Sequence, residues 1–291
     1  MVMLHHYSQY VISQNISNSL IYQLFSTQGG YLGVAIFFFL SGYGLMESEK
    51  KRHLKLESFI KNRILKTYIP VFAVTLIWFF IASLILPNSP IEMGRDYILI
   101  IKDILWGFGD EVLWFIKVIL FLYSGFYIFS IIRLKSKRYS LVFLCLFTVG
   151  FTFLTAVMLA PFLCISIPYF TIGIGMSLAL NNYKHTLFVS LGILLLICFF
   201  SLMFLSKSLG IHSIINACVI GSLILLFSVV KIDFKIPVFL GVISFDLYLV
   251  HNKILMSLKS NADTFDILLF ISLTIFFTTV FYLLRTKLLK I

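Results

Sequence analysis

The chain has 291 residues, 60% of them hydrophobic and only 12% charged, about half the roughly 25% charged share of a soluble domain. That excludes a soluble globular enzyme, because no soluble core of this length needs so much apolar surface. The formal charge of +11 would suit a nucleic-acid binder, but the Lys and Arg residues cluster between apolar spans, where anionic lipid and membrane topology account for them, and no nucleic-acid partner is expected.

In chain order, residues 1–12 read MVMLHHYSQYVI. At about 1.5 Å per residue such a helix is roughly 18 Å long, too short for a hydrocarbon core of about 30 Å. It reads as the second half of a membrane helix whose beginning is missing. No Lys or Arg precedes Lys50, so the start has neither a signal-peptide n-region nor a basic flank, and an N-terminally truncated first helix is expected. Residues 13–28, rich in Ser, Asn and Gln, read as a polar connection; their Asn15-Ile16-Ser17 sequon matters only in a eukaryotic secretory pathway.

Complete apolar spans follow near 30–46, 68–86, 112–132, 139–160, 161–180, 186–205, 211–230, 238–258 and 265–284. The expected fold is an all-α polytopic membrane protein of about ten transmembrane helices, the first truncated, forming one domain over 1–291. The longest polar connection, 87–111, should lie outside, with 97–106 as an interfacial helix. Cys145, Cys164, Cys198 and Cys218 all sit in apolar runs with no Cys-x-x-Cys pair, so neither disulfides nor a metal site is expected.

Lys and Arg number seven in 47–67, four in 133–138, one in 181–185, two in 231–237 and three in 285–291. These alternate segments hold most of the positive charge, so both chain ends should face the cytoplasm once the first helix is complete.

Ionisable groups inside spans mark cavities or pathways, and here they are His5, His6, Lys117, Asp246 and His251. His5 and His6 lie about 100° apart on a helix, so both cannot point at one site. Ser244, Tyr248 and His251 recur at helical spacing and share one face, while Asp246 lies about 140° from His251. That stripe is either reactive or a set of interhelix hydrogen bonds. Lys117 is placed to snorkel outward. Arg63 and Lys66 stand three residues apart before span 68–86, suited to gripping phosphate and equally to anchoring the positive side. The chain has no Gly-x4-Gly-Lys-Ser/Thr, Gly-x-Gly-x-x-Gly or His-Glu-x-x-His motif, which disfavours an ATP-driven pump and a membrane metalloprotease.

Several segments, taken in order, are similar to the integral-membrane acyltransferase-3 family: Leu4-His5-His6-Tyr7; Gly30 to Tyr43, GYLGVAIFFFLSGY; the basic stretch Phe59 to Pro70; Leu113-Trp114-Phe115-Ile116; and Ile243 to His251, ISFDLYLVH. Each motif is weak alone, and together they cover the whole chain. The resemblance implies an acyl-CoA donor, usually acetyl-CoA, reached from the cytoplasm, and a hydroxyl acceptor on a cell-surface glycan or its lipid-linked precursor. It maps the family's essential histidine onto His5-His6, with His6 the better match. Arg63 and Lys66 fall on its basic donor-binding pair, Lys66 standing where arginine is common. Ser41, Tyr43, Tyr248 and His251 would line the cavity and orient acceptor or donor there. One departure is that the family usually carries an arginine about ten residues before the histidine, and this sequence starts later than that.

The chemistry expected is general-base catalysis, in which a neutral imidazole of free pKa about 6.5 takes the proton of the attacking hydroxyl; an acyl-imidazole intermediate is the alternative. Acyl-CoA, a saccharide acceptor and membrane lipids are then the partners, with no tightly bound cofactor. The location implied is a bacterial plasma (inner) membrane, with many passes. A transporter or flippase is the competing class and should show internal symmetry and interrupted helices. A noncatalytic scaffold would tolerate loss of both first-helix histidines.

Overall fold

A computed structural model of the chain describes residues 1–52, 55–85, 114–158, 161–179, 211–221, 235–257 and 264–288. Of these, 94% are helical and none is in a strand. The elements are α1 (Val2–Ser13), α2 (Leu20–Leu24), α3 (Gly30–Lys51), α4 (Leu56–Phe59), α5 (Lys66–Ile85), α6 (Trp114–Lys135), α7 (Lys137–Met158), α8 (Pro168–Ala179), α9 (Ile211–Gly221), α10 (Lys235–Ser257) and α11 (Thr264–Leu288). Among the described residues, four helical stretches are long and apolar enough to cross a membrane: Leu20–Lys51, Trp114–Lys135, Lys137–Val157 and Ile267–Lys287. They contain or closely match the expected spans 30–46, 112–132, 139–160 and 265–284. Expected spans 68–86 and 238–258 fall on α5 and α10. The expected span 186–205, the second half of 211–230, and the connection 87–111 with its interfacial helix lie outside the described residues.

The expected polar connection over 13–28 is corrected by the structure. Only residues 14–19 connect; α2 begins at Leu20 behind an extended Ser19 and runs through a π-helical turn, Phe25–Gly29, into α3. The polar residues fit a helix because they satisfy themselves within it. Ser26 Oγ and Thr27 Oγ1 donate back to the Gln23 carbonyl at 3.0 and 2.8 Å, the i−3 and i−4 bonding open to hydroxyl side chains. The reversal before α2 uses Asn15 at φ 56°, a left-handed conformation that asparagine tolerates.

The expected span 161–180 falls on an apolar helical segment, Cys164–Leu178, that is not regular α-helix throughout. The span begins with a 3₁₀ segment, Pro161–Ser166, and α8 follows with 12 residues. Pro168 has no N–H to donate and ends the first turn, and Phe170 N–H donates instead to the Ile167 carbonyl at 3.2 Å.

Contacts sort the chain into two compact units. The first holds α3, α4, the part of α6 from Phe121, α7, α8 and α9. In it α3 and α8 approach at backbone distance: a Cβ added at Gly42 would run into the Phe170 carbonyl, and one at Gly173 into the Phe39 carbonyl. Small residues allow this close helix packing in lipid. Ser166 Oγ donates to the Tyr31 carbonyl at 3.0 Å, and Ser177 Oγ donates to Glu47 at 2.7 Å, so α8 runs alongside α3 in the same direction. Phe121 of α6 stacks on Phe147 and Phe151 of α7, with centroids 5.5 and 4.3 Å apart.

The second unit holds α1, α2, α5, the first turns of α6, α10 and α11. Its core gathers Tyr7, Val11, Leu255 and Phe270. The Tyr7 and Phe270 rings stack at 5.2 Å and 17°, which seats α1 against α11.

Candidate active site

The candidate site lies in the second unit, where α1 packs on α10. Because α1 is helical through Val2–Ser13, His5 and His6 point in different directions. The Nδ1–H of His5 donates to the Phe25 carbonyl in the π-helical turn at 3.0 Å. His6 turns toward α10, and its ring centroid lies 5.3 Å from that of His251, with the planes 31° apart. The His5 and His6 rings still touch edge to face at 5.0 Å.

On α10, Tyr248 and His251 share the face that their spacing predicts, with centroids 5.7 Å apart. The Phe115 ring of α6 meets Tyr248 edge to face at 4.9 Å. His251 is fully buried, and its Nδ1 lies 3.2 Å from the Leu247 carbonyl one turn earlier. A carbonyl only accepts, so Nδ1 carries the hydrogen and Nε2 is the basic nitrogen of the ring. The same argument makes Nε2 the basic nitrogen of His5. Three imidazoles and a phenol are thus gathered in an apolar setting, able to take, hold and return a proton.

Asp246, on another side of α10, is also fully buried, and its Oδ2 accepts from Arg285 Nη2 of α11 at 2.8 Å. The guanidinium also lies over the Tyr282 ring, 5.6 Å from its centroid. Sequence reading misses this pair, since Arg285 counts there as part of a charged tail, whereas α11 continues to Leu288.

Arg63 and Lys66 belong to the same unit. Arg63 lies in a second π-helical turn, Ile60–Leu65, and Lys66 opens α5, both half-buried. Pro70 follows and gives no N–H to the Lys66 carbonyl, so the local helix departs from regular α geometry at the basic pair. Ser41 and Tyr43 are in the first unit, on either side of the Gly42 approach to α8, with Tyr43 stacked on Phe39 at 6.5 Å. The structure therefore groups His5, His6, Tyr248 and His251 into one cluster and leaves Ser41 and Tyr43 in a different unit. Lys117 is exposed, and Ser244 Oγ donates to the Gly241 carbonyl on an exposed face at 2.8 Å. No group of three or more His, Cys, Asp or Glu able to hold a metal occurs among the described residues.

The family model described as an acyltransferase domain, that of the acyltransferase-3 proteins, matches residues 1–286. The chain belongs to the acyltransferase-3 family. No curated protein and no solved structure matches it. Membership assigns an acyltransferase, and the apolar helices make this acyltransferase a membrane protein.

Proposed function

We propose that this acyltransferase moves an acetyl group from acetyl-CoA to a hydroxyl of a cell-surface glycan or its lipid-linked precursor, with His6 as the general base. The observation that carries the reading is the opposition of His6 and His251 at 5.3 Å, on two helices of a membrane acyltransferase domain. The imidazole of His6 takes the proton as the acceptor oxygen bonds to the thioester carbonyl carbon. The C–S bond then breaks, and the departing CoA sulfur takes the proton back from the imidazolium. Atoms and charge balance with no further reactant. His5 is the second candidate: its Nδ1–H donates to the Phe25 carbonyl and leaves Nε2 as the basic nitrogen, but His6 is the better match to the family's histidine and is the one that faces His251.

In this reading Tyr248 and His251 orient the reacting groups, and Arg63 and Lys66 hold the donor phosphates as paired positive charges. Ser41 and Tyr43 serve the acceptor. The protein sits in a bacterial plasma membrane with about ten helices, its basic loops toward the cytoplasmic donor pool and the acceptor arriving from the other side.

The test is mass analysis of surface glycans from cells lacking the gene and from the same cells complemented with it. An acetyl-sized mass restored by complementation is the expected result. An unchanged glycan profile, with the protein present in the membrane, would contradict the reading and favour a transporter.

A further inference from the structure

A second polar cluster, outside the histidine site, lies in the first unit where the start of α3 meets α9. Gln28, two residues before α3, donates from Nε2 to Asn216 Oδ1 at 2.8 Å. Its Oε1 accepts from the Nδ1–H of His212. The His212 ring lies 4.7 Å from that of Tyr31, and the Tyr169 hydroxyl donates to the neighbouring Ser213 carbonyl at 2.9 Å. Asn216 is fully buried, and its Nδ2 has no hydrogen-bond partner among the described residues. Exchanging the assigned O and N of both amides moves the vacancy from a donor to an acceptor and does not remove it. A buried amide left half-satisfied costs free energy that an apolar side chain of similar size would avoid. Its neighbours Gln28, Tyr31 and His212 are only half-buried, so the cluster can be reached.

The composition of the cluster selects its ligand. Two carboxamides, an imidazole and an aromatic ring supply both donors and acceptors, and among the described residues the cluster holds no Lys, Arg, Asp or Glu. Such a set matches a neutral polyhydroxylated group, whose hydroxyls each donate and accept, better than a phosphate or a carboxylate. Position agrees. The cluster is at the end of α3 opposite Lys50, Lys51 and Arg52, which places it away from the cytoplasm under the topology proposed above. The geometry points to Gln28, Tyr31, His212 and Asn216 as the binding site for a neutral sugar unit of the acceptor, with Asn216 Nδ2 donating to a sugar hydroxyl. This assignment rests on the acyl-transfer reading and adds where the acceptor is held.

The test uses the full chain in lipid nanodiscs with radiolabelled acetyl-CoA and surface glycan isolated from the same cells. Asn216→Leu and, separately, Tyr31→Leu should raise the apparent KM for glycan about tenfold, the loss of roughly one good hydrogen bond or ring contact. The KM for acetyl-CoA and the rate at saturating glycan should stay near those of the unaltered protein, and Asn216→Gln should recover part of the glycan affinity. An unchanged glycan KM in both Leu variants, or an equal rise in both substrates' KM values, would reduce the cluster to a clamp between helices and overturn the assignment. If the unaltered protein transfers no label to glycan, the acyl-transfer reading fails first and this assignment falls with it.

Discussion

Neighbouring histidines on one helix point about 100° apart, and the two here take different partners: His5 a backbone carbonyl, His6 the ring of His251. Their divergence is legible in the sequence, and so is the stripe of Tyr248 and His251. What no periodicity can supply is which helix lies against which, so the meeting of His6 with His251 emerges only from the packed unit. Asp246 and Arg285 make the same point more sharply, since one residue reads as an isolated membrane charge and the other as a topological tail, yet they are 2.8 Å apart. Removing one partner of a buried pair leaves an uncompensated charge, at about 3–5 kcal/mol, whereas replacing both with apolar residues can be neutral. Arg285→Met should therefore lower the Tm of the detergent-solubilised protein well below that of the Arg285→Met/Asp246→Leu double variant. Equal Tm values for the two would mean that the pair bears no structural weight.

Helical elements are well marked by apolar length and badly marked by polar content. The segment 20–28 reads as part of a loop because the whole stretch 13–28 is rich in Ser, Asn and Gln, but its hydroxyls bond to their own helix and let it join α3. Conversely, 161–180 reads as one regular span on hydropathy alone, and Pro168 marks the change within it from a 3₁₀ segment to α8. The small residues of GYLGVAIFFFLSGYGL signal close helix approach, and Gly42 is where α8 arrives. Gly173, on the other side of that contact, lies in a small-residue run of its own, Gly173-x3-Ser177. Gly173→Leu should cost at least the roughly 1–3 kcal/mol of overpacking, because its side chain would meet backbone rather than a movable side chain, and should reduce the yield of monodisperse protein. Gly44, with open space around its Cα, should accept alanine with the yield unchanged. Where the second π-helical turn meets α5, Arg63→Ala and Lys66→Ala should each raise the KM for acetyl-CoA with the glycan KM unaffected; an unchanged donor KM in both variants would leave them as topological anchors alone.

At the scale of the whole molecule, composition settles the membrane class, and the order of several weak motifs along the chain settles the family, which the match over residues 1–286 shows directly. The distribution of Lys and Arg adds an orientation that can be checked: a single cysteine placed at Lys55 in a cysteine-free background should react with a membrane-impermeant maleimide only after the cells are opened. The proposed catalysis turns on His6 as the proton acceptor. The most direct measurement is the rate of acetyl transfer from radiolabelled acetyl-CoA to isolated glycan by the purified full chain in nanodiscs, compared with His6→Ala and His5→Ala. A general base contributes roughly 10²–10⁴-fold, so His6→Ala should lose about that factor with its folding intact, while His5→Ala should keep the greater part of the rate. Full activity in His6→Ala, or loss confined to His5→Ala, would contradict the account.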